Sequence, residues 1–465
     1  MRILLVQHAR ENTASYPLGL ATIASVLAET GHRVSFIDLA FTRSPAKKLN
    51  DTIETFRPHA LGFTLWTTQY SKFLSLVDDC PAARRIPVVA GGPHAGVAAE
   101  EILRDGRVRV VVRGEGELIA ARVFEALQNG KGLSNIDGIA FLDEAGAYVQ
   151  TPEVDYFENL DELPSPPYGL FRVTRYRNRL RGLPVVDMMT SRGCPYSCGF
   201  CYRGPTGGRK VRFMSPKRVL AEMERLYRNF GFRAFFFVDD IFTLRRERII
   251  EICELIIASR RRFYWACQTR VDRVDFELLA LMKRAGCISI HFGVESGSQR
   301  IVDKLDKKTT VEQTMTAIAD CQRLRIPTMV YFMLGTPWDT PETKRQTIAL
   351  AKQLKSTVTL FFAATPFPGT KLRDAFIENG MYVPKAAAEY RQFWVEGEID
   401  AESDLPSSST QLNKTRRACI EATQEIIWAQ ILDIRSYPRL LAEFFTQYGL
   451  TDFARLAARR ILLLR

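Results

Sequence analysis

Short apolar runs alternate with segments of helical period along most of this chain, and this alternation limits the possible folds more than any other feature. In the first 130 residues the apolar runs are 2–6, 33–39, 60–66, 87–92 and 108–114. Segments with the 3.6-residue period of an amphipathic helix separate them, and residues 18–31 are an example. Such alternation predicts a parallel sheet with helices on both faces. We therefore expect a doubly wound, Rossmann-like α/β domain over residues 1–135.

A second series of six apolar runs follows a proline-rich connection. Residues 137–151 predict a hairpin and residues 161–169 contain three prolines, so we assign residues 136–184 to a hairpin and linker. The later runs are 185–191, 233–240, 264–269, 288–296, 328–335 and 357–365. Six β/α units in a row predict a partial (β/α)6 barrel over residues 185–384, with its reactive face at the carboxyl ends of the strands. Strand patterns then stop, and residues 385–465 are predicted to be helical.

Cysteine usage and apolar content predict a reducing, cytoplasmic location. The nine cysteines are an odd number and, apart from one cluster, are scattered, which argues against a disulfide framework. No apolar run approaches the roughly 18 residues needed to cross a bilayer. The first residues also lack the apolar core and cleavage site of a signal peptide.

Positive charge exceeds negative charge, with 64 basic and 52 acidic residues and a formal net charge of +12. Spread over 465 residues, this excess is typical of a solubility feature, and we expect no nucleic-acid partner. Two local clusters flank the cysteine cluster in sequence. They are Arg172, Arg175, Arg177, Arg179 and Arg181 before it, and Arg203, Arg209, Lys210, Arg212, Lys217 and Arg218 after it. These clusters predict anionic groups on the substrate, such as phosphate or carboxylate.

Three cysteines lie within eight residues, and this cluster carries the chemistry. Cys194, Cys198 and Cys201 have the spacing C-x3-C-x2-C. A structural zinc site would need a fourth protein ligand, and no nearby pair or histidine completes one. The other candidates for a fourth thiolate lie in strand or helix patterns where a buried apolar role is expected, and they are Cys253, Cys267, Cys287 and Cys321. Three thiolates on an iron–sulfur cube leave one iron open, and an open metal position suits catalysis.

This arrangement, with the aromatic Phe200 before the last cysteine, resembles the radical S-adenosylmethionine (SAM) enzymes. The resemblance implies a [4Fe–4S] cluster on Cys194, Cys198 and Cys201 whose open iron binds the amino and carboxylate groups of SAM. Reductive cleavage of SAM would give a 5′-deoxyadenosyl radical, which the protein positions and shields. An external donor such as flavodoxin or ferredoxin would supply the electron.

Further segments resemble the same family at the expected strand ends. The resemblance places Asp239 and Asp240 near the SAM amino group, and Arg270 against its carboxylate. It implies that Glu295 accepts hydrogen bonds from the ribose hydroxyls, and that residues 334–342 approach adenine. Other interpretations exist, because paired aspartates also cap helices and an arginine after a strand is often solvated.

The first domain carries glycine-rich loops where doubly wound sheets bind ligands, at the carboxyl ends of strands. They could be tight turns, but in their order along the chain they resemble the cobalamin-binding domain found upstream of some radical SAM cysteines. The resemblance implies contacts to cobalamin from Pro17, Leu18, Gly19, Gly91, Gly92, His94, Gly114 and Glu115. None of the five histidines has the D-x-H-x-x-G setting of an axial ligand. Cobalamin is therefore predicted to bind without a histidine ligand, although some relatives keep this domain without using cobalamin.

The whole chain is similar to a subgroup that includes the anaerobic magnesium-protoporphyrin cyclase, hopanoid-modifying enzymes and carbon or phosphorus methylases. The favoured prediction is methylation of an unactivated carbon of a small-molecule or lipid-like substrate, and the alternative is oxidative cyclisation or another reaction without methyl transfer. A complete cluster would indicate an electron-transfer protein instead. A transfer-RNA methylthiotransferase would need a second cysteine cluster, and residues 1–150 contain only Cys80. Residues 453–465 predict an apolar helical stripe that docks on the barrel or contacts an anionic membrane surface.

Overall fold

We describe the fold from a computed structural model of the chain. The structure describes residues 1–8, 15–154, 156–176, 178–180, 182–202, 210–385, 389–390, 412, 414–415, 417–419 and 421–422. Most of the predicted helical region 385–465, including the stripe at 453–465, lies outside these residues. Among the described residues, no helix is both long enough and apolar enough to cross a membrane.

The first sheet has seven strands in the order β2-β1-β3-β4-β5-β6-β7. Its strands are β1 (Arg2–Gln7), β2 (Arg33–Asp38), β3 (Ala60–Thr64), β4 (Val88–Gly91), β5 (Val110–Val112), β6 (Ile139–Leu142) and β7 (Tyr148–Gln150). Its helices are α1 (Leu18–Glu29), α2 (Pro45–Phe56), α3 (Tyr70–Asp78), α4 (Pro93–Val97), α5 (Ala99–Arg104) and α6 (Gly116–Asn129). Strands β1 to β5 are parallel, and β6 and β7 form the predicted antiparallel hairpin at the edge.

Alternate residues of β1 face opposite sides of this sheet, as a strand buried on both faces requires. Ile3 and Leu5 belong to the core that includes α1 and α6 and continues into the second sheet. Leu4 and Val6 belong to a separate core with α2, α3 and α5. The α1 and α6 side of the first sheet therefore faces the rest of the molecule.

The second sheet also has seven strands, in the order β16-β15-β14-β13-β12-β9-β8. The strands after the first sheet are β8 (Arg179–Leu180), β9 (Leu183–Met188), β10 (Ser191–Arg192), β11 (Arg212–Phe213), β12 (Ala234–Phe237), β13 (Tyr264–Thr269), β14 (Cys287–Glu295), β15 (Thr328–Leu334) and β16 (Val358–Ala363). The helices are α7 (Pro216–Phe230), α8 (Arg246–Ala258), α9 (Phe276–Arg284), α10 (Gln299–Lys304), α11 (Val311–Arg323), α12 (Pro341–Leu354) and α13 (Lys371–Glu378).

Six consecutive strands of this sheet are parallel, and they confirm the predicted partial barrel. Strand β9 pairs with β12, and each later strand pairs with the next as far as β16. In the described part of the chain β9 and β16 do not pair with each other, so the barrel stays open on one side. Two short strands that the sequence did not predict, β10 and β11, pair antiparallel at the base of the cysteine loop.

Local signals explain where the barrel helices begin and end. The Ser215 hydroxyl accepts a hydrogen bond from the Arg218 amide, Pro216 opens α7, and Gly231 ends it at a φ of 74°. A capping box on Thr310 and Gln313 starts α11 in the same way. Four of the five predicted strands in the first domain extend one or two residues too far at their carboxyl ends, because those residues leave the sheet as loops, whereas the predicted strand 2–6 stops one residue before the end of β1.

Candidate functional site

A cavity of about 790 Å³ lies between the carboxyl edge of the first sheet and the first strands of the half-barrel. Its first-domain wall contains seven of the eight residues predicted to contact cobalamin, which are Pro17, Leu18, Gly19, Gly91, Gly92, Gly114 and Glu115. Its other wall comes from the barrel and contains Asp187, Met189, Ser191, Arg192, Gly193, Val238 and Asp240. Gly193 directly precedes Cys194, so one cavity joins the glycine-rich loops to the cysteine loop.

The glycines of the first-domain wall keep this space open. A Cβ on Gly19 would meet no heavy atom within 4 Å, because the first turn of α1 faces empty space. A Cβ on Gly62 would lie 2.6 Å from Leu5 Cδ2. Gly92 has a φ of 97°, and its Cβ would lie 2.8 Å from Thr64 Cγ2. These positions let a large ligand approach the backbone closely.

His94 is the predicted cofactor residue that does not line the cavity. It is buried in α4, with Nδ1 3.3 Å from Thr67 Oγ1 and its ring 4.7 Å from the ring of Tyr70. Tyr70 belongs to the core on the other side of the first sheet, which places the imidazole behind the loop. Burial lowers the pKa of His94 to about 4, so the ring is neutral near pH 7. The structure does not bring it to the predicted cofactor contact.

The described cavity wall suits a corrinoid that has no imidazole ligand from the protein. No histidine is among the described residues that line the cavity. The sequence analysis did not single out Trp66 and Gln69, which also line it. Trp66 is 49% exposed in the structure. The sequence signal that could have identified it is its position at the carboxyl end of a predicted parallel strand, where doubly wound sheets bind ligands.

Glu115 is held in a buried ionic clamp that joins the first domain to the base of the cysteine loop. The Arg212 guanidinium donates two hydrogen bonds of 2.8 Å to the Glu115 carboxylate. Arg192 lies 3.4 Å from Glu115 and donates a 2.5 Å hydrogen bond to Glu117. Arg192 and Arg212 are opposite each other in the β10–β11 pair. The glycine-rich segment 113–117 therefore fixes the cysteine loop as well as lining the cavity.

The buried side chains Glu117 and Arg192 of this clamp stabilise each other in their charged forms. Burial alone would raise the pKa of Glu117, but the charge of Arg192 and hydrogen bonds from Arg192 and Thr22 hold it below its usual range. Burial would lower the pKa of Arg192, and the charge of Glu117 raises it above its usual range. Both side chains therefore stay ionised at neutral pH.

Asp239 secures the strand that leads into the cysteine loop. Its carboxylate accepts hydrogen bonds from the Thr190 amide and hydroxyl at 2.5 Å and from the Ser191 hydroxyl at 2.7 Å. Burial raises its pKa, and the charge of Arg248 and these hydrogen bonds only partly offset that effect. Asp239 is thus directed at the loop rather than into the cavity, whereas Asp240 is exposed and lines it.

The three clustered cysteines lie on a loop that the barrel anchors at Gly199. The Gly199 amide donates to the Leu305 carbonyl at 2.8 Å, and its carbonyl accepts from the Leu372 amide at 2.9 Å. Cys194 and Cys198 are half-buried and Cys201 is exposed, whereas Cys253, Cys267, Cys287 and Cys321 are buried as predicted.

The described residues include no group of three or more His, Cys, Asp or Glu side chains placed to hold a single metal ion. This finding is compatible with a four-iron cluster, because its thiolates bind different irons and lie farther apart than the ligands of one ion. Three thiolates on one accessible loop fit that cluster with one iron left open.

Arg270 lies beside the cysteine loop. One guanidinium nitrogen is 3.9 Å from Cys198 Sγ, and the group stacks 3.6 Å from the centre of the Tyr196 ring. The same guanidinium pairs with Asp272 at 2.8 Å and donates to the Lys307 carbonyl at 2.7 Å. This places the Arg270 guanidinium beside the cysteine loop, held there by Asp272 and by the Lys307 carbonyl.

Glu295 forms a buried pair with a lysine that the sequence analysis missed. Lys307 Nζ lies 2.6 Å from Glu295 Oε1 and 5.6 Å from the centre of the Phe200 ring. Glu295 has a φ of 71°, and its carboxylate folds over Gly293, where a Cβ would lie 2.6 Å from Oε1. The structure thus brings Phe200, Arg270 and Glu295 together with the cysteine loop, and Lys307 connects them.

The described members of the two basic clusters do not line the cavity. Their described members are absent from its wall, in which Arg192 is the basic residue. Arg212 pairs with Glu115, Lys210 pairs with Glu158, and Arg218 donates to the Leu163 carbonyl. Arg177, Arg181, Arg203 and Arg209 lie outside the described residues. The described members of the clusters therefore give no structural support for an anionic substrate.

Comparison with known families gives one match for the region that forms each wall of the cavity. Residues 12–124 match the model of the B12 binding domain, and residues 188–351 match the model of the radical SAM superfamily.

Individual relatives match the chain across both regions. An uncharacterized methyltransferase from Pyrococcus horikoshii is 33% identical over 390 residues, which cover 82% of this chain and 84% of that protein. The anaerobic magnesium-protoporphyrin IX monomethyl ester cyclase of Rubrivivax gelatinosus is 28% identical, over 78% of this chain and 66% of the cyclase.

A solved structure shares the fold. The radical SAM methyltransferase TsrM from Kitasatospora setae, solved with cobalamin and a [4Fe–4S] cluster, is 22% identical to this chain, with a TM-score of 0.71. The match covers 83% of this chain and 79% of TsrM.

Proposed function

Because this chain belongs to the radical SAM superfamily and carries a B12-binding domain, we propose that it methylates an unactivated carbon of a small-molecule substrate. The cofactors of this enzyme are a [4Fe–4S] cluster, SAM and cobalamin. The observation that carries the proposal is the single cavity from the glycine-rich loops of the first domain to Gly193. The residues assigned to cobalamin and those next to the cysteine loop would then border the same space.

The cofactors, when bound, supply one-electron chemistry that removes a hydrogen atom from carbon, and a methyl group carried on cobalt. We assign Cys194, Cys198 and Cys201 to the cluster. Arg270 would pair with the SAM carboxylate, and Phe200 would shield the cluster. Glu295, which Lys307 orients, would accept hydrogen bonds from the ribose. Asp240 lines the cavity and is assigned to the SAM amino group, whereas Asp239 positions the loop.

We assign the cobalamin contacts to the wall that the glycines keep open. Pro17, Leu18 and Gly19 form the entry to α1, and the other contacts are Gly91, Gly92, Gly114 and Glu115. An external protein such as flavodoxin or ferredoxin would supply electrons, and a reducing cytoplasm suits the three thiolates. The sequence predicts domain bounds at residues 135, 184 and 384, but β6 and β7 extend the first sheet to Gln150, and β8 adds Arg179–Leu180 to the second sheet.

The similarity to the porphyrin cyclase favours a second candidate, an oxidative cyclisation without methyl transfer. The two candidates differ in the fate of SAM. Methyl transfer consumes two SAM molecules per product, one as methyl donor and one as the source of the hydrogen-abstracting group. Cyclisation needs only the second of these.

SAM labelled with deuterium on its methyl group distinguishes the candidates. With substrate and reductant, we expect S-adenosylhomocysteine and 5′-deoxyadenosine in equal amounts and the label in the product. Unlabelled product with 5′-deoxyadenosine alone would favour cyclisation. Cys194→Ala should abolish 5′-deoxyadenosine formation, whereas Cys80→Ala, which changes a buried cysteine of the first domain, should retain it. Equal activity of both variants would contradict the cluster assignment.

A further inference from the structure

Arg192 joins the glycine-rich wall of the first domain to the cysteine loop. Its guanidinium donates a 2.5 Å hydrogen bond to Glu117 and lies 3.4 Å from Glu115, and both carboxylates belong to segment 113–117. Its main chain continues directly into the cysteine loop, because Cys194 is only two positions later. One residue therefore contacts the segment assigned to cobalamin and begins the loop assigned to the cluster.

The backbone on both sides of Arg192 is held in place. Arg192 is paired with Arg212 in the β10–β11 ladder. The Ser191 hydroxyl donates to Asp239 at 2.7 Å. Gly193 has a φ of 89°, in the left-handed region that glycine adopts without strain. Because this segment has little freedom, fixing the Arg192 side chain also fixes the start of the cysteine loop.

On the first-domain side, the contacts of Glu117 reach α1. The Thr22 hydroxyl donates a 2.8 Å hydrogen bond to the same Glu117 oxygen that accepts from Arg192. A Cβ on Gly116 would lie 2.6 Å from Ile23 Cδ1, so this turn and α1 pack closely. The residues of this contact that line the cavity are Thr22, Ile23, Gly116 and Glu117. Glu117 thus connects the cavity wall directly to Arg192.

These contacts are shielded from water. The side chains of Glu115 and Glu117 are 4% and 6% exposed, and that of Arg192 is 11% exposed. Buried charges attract each other more strongly than charges at the surface, and separating them leaves an uncompensated charge. The clamp therefore favours one joint arrangement of both loops over independent movement of each.

Each of the two loops is assigned to a different cofactor. Cys194 and Cys198 are half-buried and Cys201 is exposed, so the cysteine loop is accessible. Bonds from three thiolates to one cluster would restrict this loop, and a corrinoid would restrict segment 113–117. Because the clamp is common to both loops, the first ligand to bind loses most of its conformational entropy, and the second ligand loses less.

We propose that Arg192 is a positioning residue that couples the two cofactor sites, so that a cluster on the cysteine loop strengthens corrinoid binding at the first-domain wall. The coupling is reciprocal, since each ligand changes the binding free energy of the other by the same amount. The proposal rests on the cofactors of the proposed function, not on its reaction. It requires no contact between Arg192 and either cofactor.

Corrinoid affinity with and without the cluster measures the coupling. The full chain is prepared in a cluster-loaded and a cluster-free form, and anaerobic equilibrium dialysis with methylcobalamin in the dark gives a dissociation constant for each. We expect the cluster-loaded wild type to bind about tenfold more tightly than the cluster-free wild type. In Arg192→Met we expect both forms to bind equally, with about the affinity of the cluster-free wild type.

Further variants separate coupling from a loss of stability. Arg192→Lys keeps the charge but not the planar guanidinium that reaches two carboxylates, so the tenfold factor should fall to about threefold. Glu117→Gln combined with Arg192→Met leaves no unpaired charge at Glu117 and should also show no coupling, so poor folding of the single variant does not end the test. Arg218→Met is the matched control, because Arg218 contacts Glu222 and the Leu163 carbonyl instead, and it should keep the tenfold factor.

The dissociation constants also distinguish a failure of this proposal from a failure of the proposed function. A tenfold factor that persists in Arg192→Met would overturn the proposal even if both forms bind more weakly, because Arg192 would then only stabilise the fold or contact the corrinoid itself. Equal binding by the two wild-type forms would overturn the coupling and leave the proposed function standing. A wild-type chain that binds no corrinoid in either form would refute both.

Discussion

Individual residues near the cysteine loop take their roles from contacts that the sequence does not reveal. Asp239 and Asp240 are neighbours in sequence, yet one is 1% exposed and holds Thr190 and the other is exposed in the cavity wall. Strand alternation predicts that such neighbours point in opposite directions, but not which of them faces the ligand. Nothing in the sequence indicated a role for Lys307, because it contacts Glu295 only after the loop that follows α10 has folded.

Substitution of Gly293 tests the role of the Glu295–Lys307 pair. A Cβ at Gly293 would lie 2.6 Å from Glu295 Oε1 and 3.1 Å from Lys307 Nζ. Both atoms are ends of flexible side chains, so Gly293→Ala should displace the pair with little loss of stability. We expect SAM to bind about tenfold more weakly, because the carboxylate assigned to its ribose moves.

Anaerobic equilibrium dialysis with SAM measures this effect, and thermal unfolding measures stability. Gly132→Ala is the matched control, since no heavy atom lies within 4 Å of its added Cβ. Unchanged SAM affinity in Gly293→Ala would refute the assignment of Glu295.

At the scale of elements, the sequence located the strands well and the loops less well. Apolar runs mark a buried strand, but the residues where it leaves the sheet are part of the same run. Trp66 belonged to the predicted strand 60–66, whereas β3 ends at Thr64 and the indole lines the cavity. The glycine-rich segment 113–117 was identified from its glycines, but the link from Glu115 to Arg212 could not be predicted, because that partner is 97 residues away in sequence.

The first turn of α1 offers a direct test of cobalamin binding. An added Cβ on Gly19 would meet no heavy atom within 4 Å, and Gly19 lines the cavity, so we expect a large side chain there to extend into the ligand's place. We expect Gly19→Phe to abolish retention of cobalamin through gel filtration while the melting temperature of the apoprotein stays unchanged.

Gly132→Phe is the control for this substitution, because Gly132 is exposed and also has no atom within 4 Å of its added Cβ. It should retain one corrinoid per chain. Full retention by Gly19→Phe would place the cofactor elsewhere.

The clamp between the first domain and the β10–β11 pair should contribute strongly to stability. Glu115 and Arg212 side chains are 4% and 3% exposed, so removing one partner leaves a charge with little access to water. We expect Arg212→Met to lower the free energy of unfolding by roughly 3 kcal/mol. Glu115→Gln combined with Arg212→Met should recover part of that loss, because the buried charge is removed as well.

Urea unfolding of the two single variants and the double variant measures the coupling. Arg84→Met is the control, since the Arg84–Asp78 pair is exposed and should change stability by less than about 1 kcal/mol. Additive effects of the two clamp substitutions would show that the pair does not act as a unit.

At the scale of the whole molecule, three histidines in separate places, two of them buried and His291 half-buried, make stability depend on pH. His8 and His94 lie in the first domain and His291 in the half-barrel, and burial lowers the pKa of each to about 4. In the unfolded chain their pKa is near the ordinary value of about 6.5. Between these values the unfolded chain binds more protons than the folded one, so stability falls as the pH is lowered from 6.5 toward 4.

His94 provides the cleanest test of this linkage, because a protonated ring would need an acceptor at Nε2, which is buried and has no described partner. The ring packs against Tyr70, so His94→Phe keeps an aromatic contact and removes the titrating group. At pH 7.5, where the ring is neutral in both states, we expect the variant to be about as stable as the wild type. From pH 6.5 to 4.5 the variant should lose stability less steeply, by up to about 1.4 kcal/mol per pH unit. Urea unfolding at several pH values measures both slopes, and parallel curves for the two proteins would show that His94 does not titrate on unfolding.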